Sequence, residues 1–328
     1  MIKKDHSILS RIFRGEQIAL LLALFIVAAI GAVTSDSFLT QLNITNILRQ
    51  VSLTAIAGIG MVLIILTGNI DLSVGSTQAA VGIAVATVVN ATESIFAALL
   101  AAILVGIVIG SFNGFLVTVL KLNSLIATLA TMAIVRGTGL IITQAVTIPI
   151  HVPAFIGVGA GMLGPIPVPV LICVALIAIC YFVLNHTVFG RHIYALGGNR
   201  EAAKLAGLPI RRIEFTVFVL GNILFAISAF ILTSRLNAGQ AIAGTGFEMI
   251  VIAAVILGGV SLVGGTGSLV SALIGILILQ LIQNILVLNN VMTFYHDVVR
   301  GFVIILAVYL DVRRKRSADK VRAEKSVK

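Results

Sequence analysis

The sequence predicts an all-α protein, a polytopic transmembrane helical bundle of about ten spans, and three observations support this. The 328 residues are 59% hydrophobic and 10% charged, whereas a soluble domain carries about 25% charged residues. The apolar residues form continuous runs, not the ten-residue alternating segments of a membrane barrel. The 31 glycines are typical of helices that pack closely in a bilayer. Lipid is therefore the expected solvent for much of the chain.

Ten apolar runs are candidates to cross the hydrocarbon layer, which is about 30 Å thick and requires about 20 residues of helix. They comprise residues 18–34, 47–67, 72–90, 95–120, 124–143, 166–185, 213–233, 248–264, 268–287 and 297–312. Several runs are short or interrupted by glycine, so eight to eleven crossings fit the pattern. Residues 18–312 are predicted to form one transmembrane domain.

The distribution of basic residues predicts the orientation of the chain. Of the 22 Lys and Arg residues, 18 lie in segment 1–17, at Lys121, in segment 186–212 or in segment 313–328. Cytoplasmic loops carry such an excess, and ten crossings place all four regions on one side. We therefore expect a cytoplasmic N-terminus at 1–17, a cytoplasmic loop at 186–212 and a basic cytoplasmic tail at 313–328, of the kind that anionic lipid attracts.

The sequence also excludes several classes of function. The formal net charge is +10, but the basic residues flank apolar runs and no nucleic-acid motif is present, so nucleic acid is not an expected partner. The chain has no Gly-Lys pair and hence no phosphate-binding P-loop, so ATP chemistry must come from another chain. The five histidines lie singly, and neither a metal site nor a cofactor is predicted. Cys173 and Cys180 lie about 10 Å apart on a helix, too far for a disulfide.

Segment 186–212 contains the pattern of a short capped helix. Asn199 is a good N-cap because its side-chain oxygen can accept a hydrogen bond from the next turn, and Glu201 lies in the first turn, where the helix dipole favours a negative charge. Gly207 is predicted to end the helix, and Pro209 prevents its continuation. The small apolar face consists of Ala202, Ala203, Leu205 and Ala206. Such a helix suits docking into a groove of a partner, although an ordinary surface helix would have the same pattern.

Two glycine-containing segments resemble each other at an offset of 190 residues. Residues 68–75 read Gly-Asn-Ile-Asp-Leu-Ser-Val-Gly, and residues 258–265 read Gly-Gly-Val-Ser-Leu-Val-Gly-Gly. Glycine-interrupted segments in corresponding halves indicate a possible internal repeat with discontinuous helices at a transport site. The alternative is that small residues recur wherever helices pack closely. Ten crossings give both segments the same orientation, whereas an inverted repeat would need opposite orientations.

Polar side chains within a membrane are costly and usually functional. The candidates for lining a path are Asn69, Asp71, Ser73, Gln280, Gln283 and Asn284. Asp71 is predicted to cap the helix that follows it through that helix's first amides. The alternatives are structural: Asp71 or Glu248 pairs with an arginine, and the amides of residues 280–284, which share one helix face, bond across helices. The isolated charges are Asp71, Arg136, Arg235, Glu248, Asp297 and Arg300.

Five stretches carry more specific patterns. Residues 190–209 read Gly-Arg-x-x-x-Ala-x-Gly-Gly-Asn-x-Glu-Ala-Ala-x-x-x-Gly-x-Pro, and residues 68–76 read Gly-Asn-Ile-Asp-Leu-Ser-Val-Gly-Ser. Residues 126–132 read Ile-Ala-Thr-Leu-Ala-Thr-Met and precede Arg136-Gly137. The last two stretches are glycine-rich residues 243–267 and Val-Arg-Gly at 299–301. Taken in chain order, these stretches resemble ABC-importer permeases of the ribose/arabinose/xylose family, and the details of 124–137 and 297–301 look closest to the arabinose type. Asn69 departs from the family pattern, where a second glycine is usual.

This resemblance implies a permease subunit of an ATP-driven sugar importer in a bacterial inner membrane, with a pentose favoured as substrate. It implies that segment 186–212 contacts the ATPase, and that two copies of the chain together form the pathway. The expected partners are ABC ATPase subunits, an extracytoplasmic sugar-binding protein (periplasmic or a lipoprotein), a second copy of the chain, a sugar and membrane lipid. The residues expected to couple to the ATPase are Gly197, Gly198, Asn199, Glu201, Ala202, Ala203 and Gly207.

Two other classes of function compete with this interpretation. An ion-coupled secondary sugar transporter would use Asp71 or Glu248 as its coupling group, but such a carrier needs no partner-binding loop. An intramembrane enzyme would need a nucleophile–base pair or a metal-binding spacing, and the sequence contains neither motif. The sequence therefore predicts a transport subunit that is not itself an enzyme.

Overall fold

The computed structural model describes residues 15–326, and these are predominantly helical. The helices of the first half are α1 (Gly15–Thr34), α2 (Gln41–Leu66), α3 (Val74–Thr92), α4 (Ile95–Thr118) and α5 (Ser124–Thr143). Those of the second half are α6 (Pro153–Ala160), α7 (Val168–His186), α8 (Val188–Gly198), α9 (Arg200–Leu205), α10 (Ile210–Leu236), α11 (Phe247–Leu257), α12 (Leu269–Leu288) and α13 (Thr293–Ser326). Most of the predicted N-terminal segment 1–17 lies outside the described residues.

The strands are few and short. β1 (Ile148–Pro149) pairs antiparallel with β4 (Ala238–Gly239), and β2 (Met162–Leu163) pairs antiparallel with β3 (Ile166–Pro167). Within the described residues, eight helices are long and apolar enough to cross a membrane, namely α1 to α5, α7, α10 and α12. The predicted all-α polytopic membrane fold is therefore confirmed.

Each of the ten predicted apolar runs falls on a separate helix, but the run 248–264 was wrong in its second half. Its helix, α11, stops at Leu257 after 11 residues. The chain turns there because Gly258 is followed by Gly259 at a φ of +86°, in the left-handed region, which glycine adopts without steric cost. Loop residues therefore replace the rest of the predicted crossing. The run 297–312 lies within the long helix α13.

The core of the bundle is built around α2 and α10, which are the longest of the buried helices. Glycines let their backbones approach closely: a Cβ atom at Gly60 of α2 would lie 2.7 Å from the carbonyl oxygen of Gly221 on α10. Gly106 and Gly110 of α4 face α10 in the same way, each with a backbone carbonyl 2.7 Å from the position of a Cβ atom. This is the small-residue packing that drives helix association where lipid removes the hydrophobic driving force.

Residues 144–165 are rich in proline and glycine, but they contain regular structure. Pro153 starts the eight-residue helix α6 at a position where its missing N–H is harmless. Gly159 fits this helix against α10, since a Cβ atom there would lie 2.5 Å from the backbone nitrogen of Arg235. The Gly159 N–H donates to the Ser234 hydroxyl at 2.8 Å. These contacts hold α6 against α10.

Candidate functional site

The short helix α9 has the capping predicted from its sequence. The Asn199 side chain accepts a hydrogen bond from the Ala202 N–H at 2.9 Å, and Glu201 lies in the first turn. Gly207 follows the helix at a φ of +78°, and the Leu208 N–H donates back to the Ala203 carbonyl at 3.1 Å. A left-handed glycine with such backward bonds is a common helix end. The prediction of a capped helix between two membrane segments is confirmed.

One side of α9 packs on the protein and the other faces outward. Ala203 is buried, whereas Ala202, Lys204 and Ala206 are exposed. Leu205 is 89% exposed, the highest value among the large exposed apolar side chains of the described residues. The outward-facing Leu205 and the exposed Ala202 and Ala206 leave a small apolar surface uncovered by the described residues.

The end of α8 meets the end of α2 and the second glycine segment at a junction made almost entirely of backbone atoms. A Cβ atom at Gly197 would lie 1.9 Å from the Leu66 carbonyl oxygen and 2.4 Å from the Gly265 nitrogen. The Gly265 N–H in turn donates to that Leu66 carbonyl at 2.9 Å. Gly198, the next residue, has no atom within 4 Å of its Cβ position. Of the two adjacent glycines, only Gly197 is therefore required by close packing.

We call residues 67–73, between α2 and α3, the first linker and residues 258–268, between α11 and α12, the second linker. The two linkers touch: a Cβ atom at Gly264 would lie 2.6 Å from the Gly68 nitrogen, and one at Gly68 would lie 3.1 Å from the Val263 carbonyl oxygen. The two similar glycine segments of the sequence thus meet beside α8. Whether they descend from an internal repeat stays a prediction.

Asp71 of the first linker lies at the centre of a buried polar network. Its side chain is completely buried. One carboxylate oxygen accepts from the Ser73 N–H at 2.8 Å and the Ser73 hydroxyl at 2.6 Å. The other accepts from the Asn113 amide of α4 at 3.0 Å and the Asn222 amide of α10 at 2.8 Å. Asp71 thereby joins the start of α3 to two other helices.

This geometry corrects the predicted capping role of Asp71. The N-cap position of α3 is Ser73, whose side chain makes no cap bond, and Asp71 reaches only the N–H of Ser73 itself. Asp71 lies two residues before the N-cap position, and its carboxylate makes no bond to the first amides of the helix. The structural alternative of an arginine partner is also wrong for Asp71, because amides and a hydroxyl supply its side-chain donors.

The backbone of the first linker is held by α5. The Ile70 N–H donates to the Ser124 hydroxyl at 3.2 Å, and the Leu72 N–H donates to the Thr128 hydroxyl at 3.0 Å. A non-helical backbone at membrane depth is tolerated only where protein or water satisfies its polar groups. Two hydroxyls of α5 do this here, so the position of α5 and that of the linker are coupled.

Sequence reasoning missed Glu214, which connects α9 to the first linker. Glu214 lies in the first turns of α10, is 1% exposed and forms a two-pronged ion pair with Arg200, the first residue of α9. The same carboxylate accepts from the Asn69 amide at 3.2 Å. Hydrogen bonding to Glu214 raises the pKa of Arg200 above its ordinary value. The sequence feature that could have indicated this role is that Glu214 is a single acidic residue at the start of the apolar run 213–233.

The amides of α12 bond across helices, as the structural alternative for them predicted. The Gln280 amide donates to the Thr54 hydroxyl of α2 at 2.5 Å. Asn284 and Asn43 of α2 exchange hydrogen bonds of 2.8 and 3.1 Å. Gln283 is half-buried, and its amide nitrogen has no hydrogen-bond partner. Gln280 and Asn284 therefore hold α12 against α2, and a role for them in lining a path stays a prediction.

Two of the isolated charges, Arg136 and Glu248, lie beside the loop before α11 or at the start of that helix. Arg136 of α5 donates to the carbonyls of Ala241 and Ala243 at 3.2 and 3.3 Å and to the Thr245 hydroxyl at 3.0 Å. Glu248 has one carboxylate oxygen that is buried without a hydrogen-bond partner. Among the side chains that the structure describes, the ion pairs given are Arg200–Glu214 and Arg300–Asp297, and Glu248 is not seen to pair with an arginine.

Sequence comparisons place these features in a family. A family model described as the permease component of a branched-chain amino acid transport system matches residues 43–308. The chain belongs to this permease family. Its relatives include the L-arabinose transport system permease of Escherichia coli K12, 39% identical over 303 residues and 92% of each chain. The ribose import permease of Bacillus subtilis 168 is 43% identical over 299 residues, 90% of this chain and 92% of the relative.

A third relative is named as part of an ABC transporter. The L-arabinose ABC transporter permease of Azospirillum brasilense is 37% identical over 284 residues, 87% of this chain and 84% of the relative. No solved structure matches the chain. The resemblance to ribose and arabinose ABC-importer permeases is thus confirmed, and nothing in these comparisons favours the ion-coupled alternative.

Proposed function

We propose that this chain is the membrane-spanning permease subunit of an ABC importer that translocates a monosaccharide, with a pentose favoured. The observation that carries this proposal is α9, a capped helix between two membrane segments whose outward apolar side is left uncovered by the described residues. The sequence has no P-loop of its own. A transporter without an ATP-binding motif but with a free docking helix fits a subunit driven by a separate ATPase.

The proposed assembly contains two copies of the chain, two ATPase subunits and an extracytoplasmic sugar-binding protein. The residues proposed to contact the ATPase lie at the end of α8 and on α9. The structure supports different roles for the exposed and the packed members of this set. Asn199 caps α9, Gly207 ends it, and Glu201 and Ala202 are exposed. Gly197 and Ala203 instead pack inward and hold the helix in place. Gly198 is exposed at the junction of α8 and α9.

The proposed location is a bacterial inner membrane, with both termini on the cytoplasmic side. The distribution of the basic segments supports this orientation. Asn69, Asp71 and Ser73 are proposed to act on the pathway indirectly. Their side chains are buried within one chain, so they would support a path formed where two copies meet.

Transport by the reconstituted complex tests this function. Proteoliposomes containing the chain, its ATPase and its binding protein should take up one labelled pentose or hexose from a panel only when ATP is supplied. A nonhydrolysable ATP analogue should abolish uptake. Uptake by the chain alone, driven by a proton or sodium gradient without ATP, would instead establish the ion-coupled alternative.

A further inference from the structure

A buried carboxylate links the proposed ATPase-docking helix to the first linker. Glu214 accepts two hydrogen bonds from the guanidinium of Arg200 and a third from the amide of Asn69. Arg200 is the first residue of α9, and Asn69 lies in the first linker, 145 residues away from Glu214 in sequence. Three separate elements therefore converge on one carboxylate.

The exposure of this ion pair differs sharply between its two members. The side chain of Glu214 is 1% exposed, whereas that of Arg200 is 57% exposed. A buried carboxylate needs a cation and satisfied hydrogen bonds, because an unpaired buried charge is strongly destabilising. The two parallel bonds of an arginine also fix its orientation relative to the carboxylate. A displacement of α9 therefore moves Arg200, the cation that compensates the buried Glu214 carboxylate.

The connection continues from Asn69 into the bundle. One residue further, the Ile70 N–H is bonded to Ser124 of α5, and Leu72 is bonded to Thr128 of the same helix. Asp71 between them bonds to α4 and α10. A shift of the linker at Asn69 would therefore reach α5, a helix with much of its apolar surface exposed in the single chain.

We infer that Glu214 is a positioning residue that transmits movement of α9 to the first linker and α5 through Arg200 and Asn69. This inference rests on the proposed function, because it assigns to the ion pair the step between ATPase docking and opening of the pathway. Glu214 itself is buried within the chain, so its proposed role is indirect. Loss of this link should change the ratio of sugar import to ATP hydrolysis. Coupling between two sites is a free energy, and removing the link between them reduces it.

The test measures how many sugar molecules are imported per ATP hydrolysed by reconstituted complexes. Glu214→Gln and Arg200→Gln should each lower this ratio at least about fivefold, within the usual range of coupling between sites. Both variants should still copurify with the ATPase subunits. The double variant should be no worse than either single one, because residues that act through one interaction are not additive. Glu214→Gln should fold even where Arg200→Gln lowers the yield, because it leaves the largely exposed Arg200 unpaired instead of a buried carboxylate.

Lys121→Gln is the matched control, since it removes an exposed cation from another loop predicted to be cytoplasmic and should keep the wild-type ratio. Wild-type ratios for Glu214→Gln and Arg200→Gln would overturn the inference and leave the proposed function intact. The same holds if the variants lose thermal stability but their folded complexes transport at the wild-type ratio, which would identify a purely structural pair. Absence of ATP-driven uptake by the wild-type complex would refute the proposed function itself.

Discussion

At the scale of single residues, buried polar groups in this chain are satisfied by side chains that lie far apart in sequence. The amides that bond to the Asp71 carboxylate come from Asn113 and Asn222, which are 42 and 151 residues away. A buried donor or acceptor left without a partner costs about 1–3 kcal/mol. Substitutions at Asp71 therefore affect three helices and the linker together.

Asp71→Leu should sharply reduce the amount of folded protein and abolish uptake. Leucine leaves the Ser73 N–H and the Asn113 and Asn222 amides without their acceptor, at a cost of about 3 kcal/mol or more. Asp71→Asn should cost only about 1–2 kcal/mol and keep much of the transport. The side-chain oxygen of the new asparagine can still accept from Ser73. The side-chain oxygen of Asn113, which lacks a partner in the wild-type structure, can turn toward the new amide nitrogen.

Thermal unfolding in detergent and labelled-sugar uptake check both variants. Wild-type behaviour of Asp71→Leu would contradict the supporting role of the carboxylate. Loss of uptake in well-folded Asp71→Asn would show that the negative charge itself matters, and the ion-coupled mechanism would then regain support.

The adjacent glycines of α8 offer a matched pair of substitutions. Gly197→Ala should lower stability by about 1–3 kcal/mol, the usual cost of overpacking, because its Cβ atom would overlap backbone atoms of Leu66 and Gly265 that cannot rotate away. Gly198→Ala meets open space and should be neutral or slightly stabilising, since alanine favours helix. Melting temperatures of the two variants give the comparison, and equal values would contradict the junction.

Gly207 provides a test of the docking helix itself. Gly207→Val should reduce sugar-stimulated ATP hydrolysis, because valine at a φ of +78° costs roughly 1–2 kcal/mol and loosens the end of α9. No atom lies within 4 Å of the Cβ position, so the effect comes from backbone strain alone. Gly207→Asn, which tolerates this conformation, should retain more hydrolysis. Normal hydrolysis and ATPase binding by Gly207→Val would count against α9 as the contact.

At the scale of elements, local sequence signals predicted where α9 begins and ends, but they did not predict which side chains bond between elements. The cap at Asn199 and the stop at Gly207 were predictable because all the contacts of α9 that decide its ends lie within ten residues. The bonds of Glu214 to Arg200 and Asn69 were not predictable, because these partners lie on two other elements. The same limit applies to Asp71: its importance was visible as an isolated charge, but its donors were not.

Helix α12 is joined to α2 by an asparagine pair that a double-mutant cycle can measure. Asn284→Leu should destabilise the protein by about 1 kcal/mol, a typical value for side-chain hydrogen bonds between membrane helices. Asn43→Leu should cost somewhat more, because the Asn43 amide also donates to the Phe38 carbonyl. The double variant should cost less than the sum of the single ones, as read from unfolding in detergent. Strict additivity would show that the two asparagines do not stabilise each other.

At the scale of the whole molecule, the predicted orientation can be tested by cysteine labelling. After replacement of Cys173 and Cys180, a cysteine at Gly157 should react with an impermeant reagent added to intact spheroplasts, and one at Ser317 should not. Gly157 is exposed and has no atom within 4 Å of its Cβ position, whereas the neighbouring Gly159 packs on α10 and is unsuitable. Labelling of Ser317 from outside would overturn the ten-span topology.

The short helix α11 has a consequence for how the chain behaves when it is diluted in lipid. Eleven residues rise about 16 Å, about half the hydrocarbon thickness, and the loop before them exposes Ile242 and Thr245. Hydrocarbon cannot satisfy a loop backbone at that depth, and in the proposed two-copy assembly we expect the second copy to cover this loop. By mass action, melting temperatures in vesicles should fall as the lipid-to-protein ratio rises, because two-dimensional dilution separates the copies.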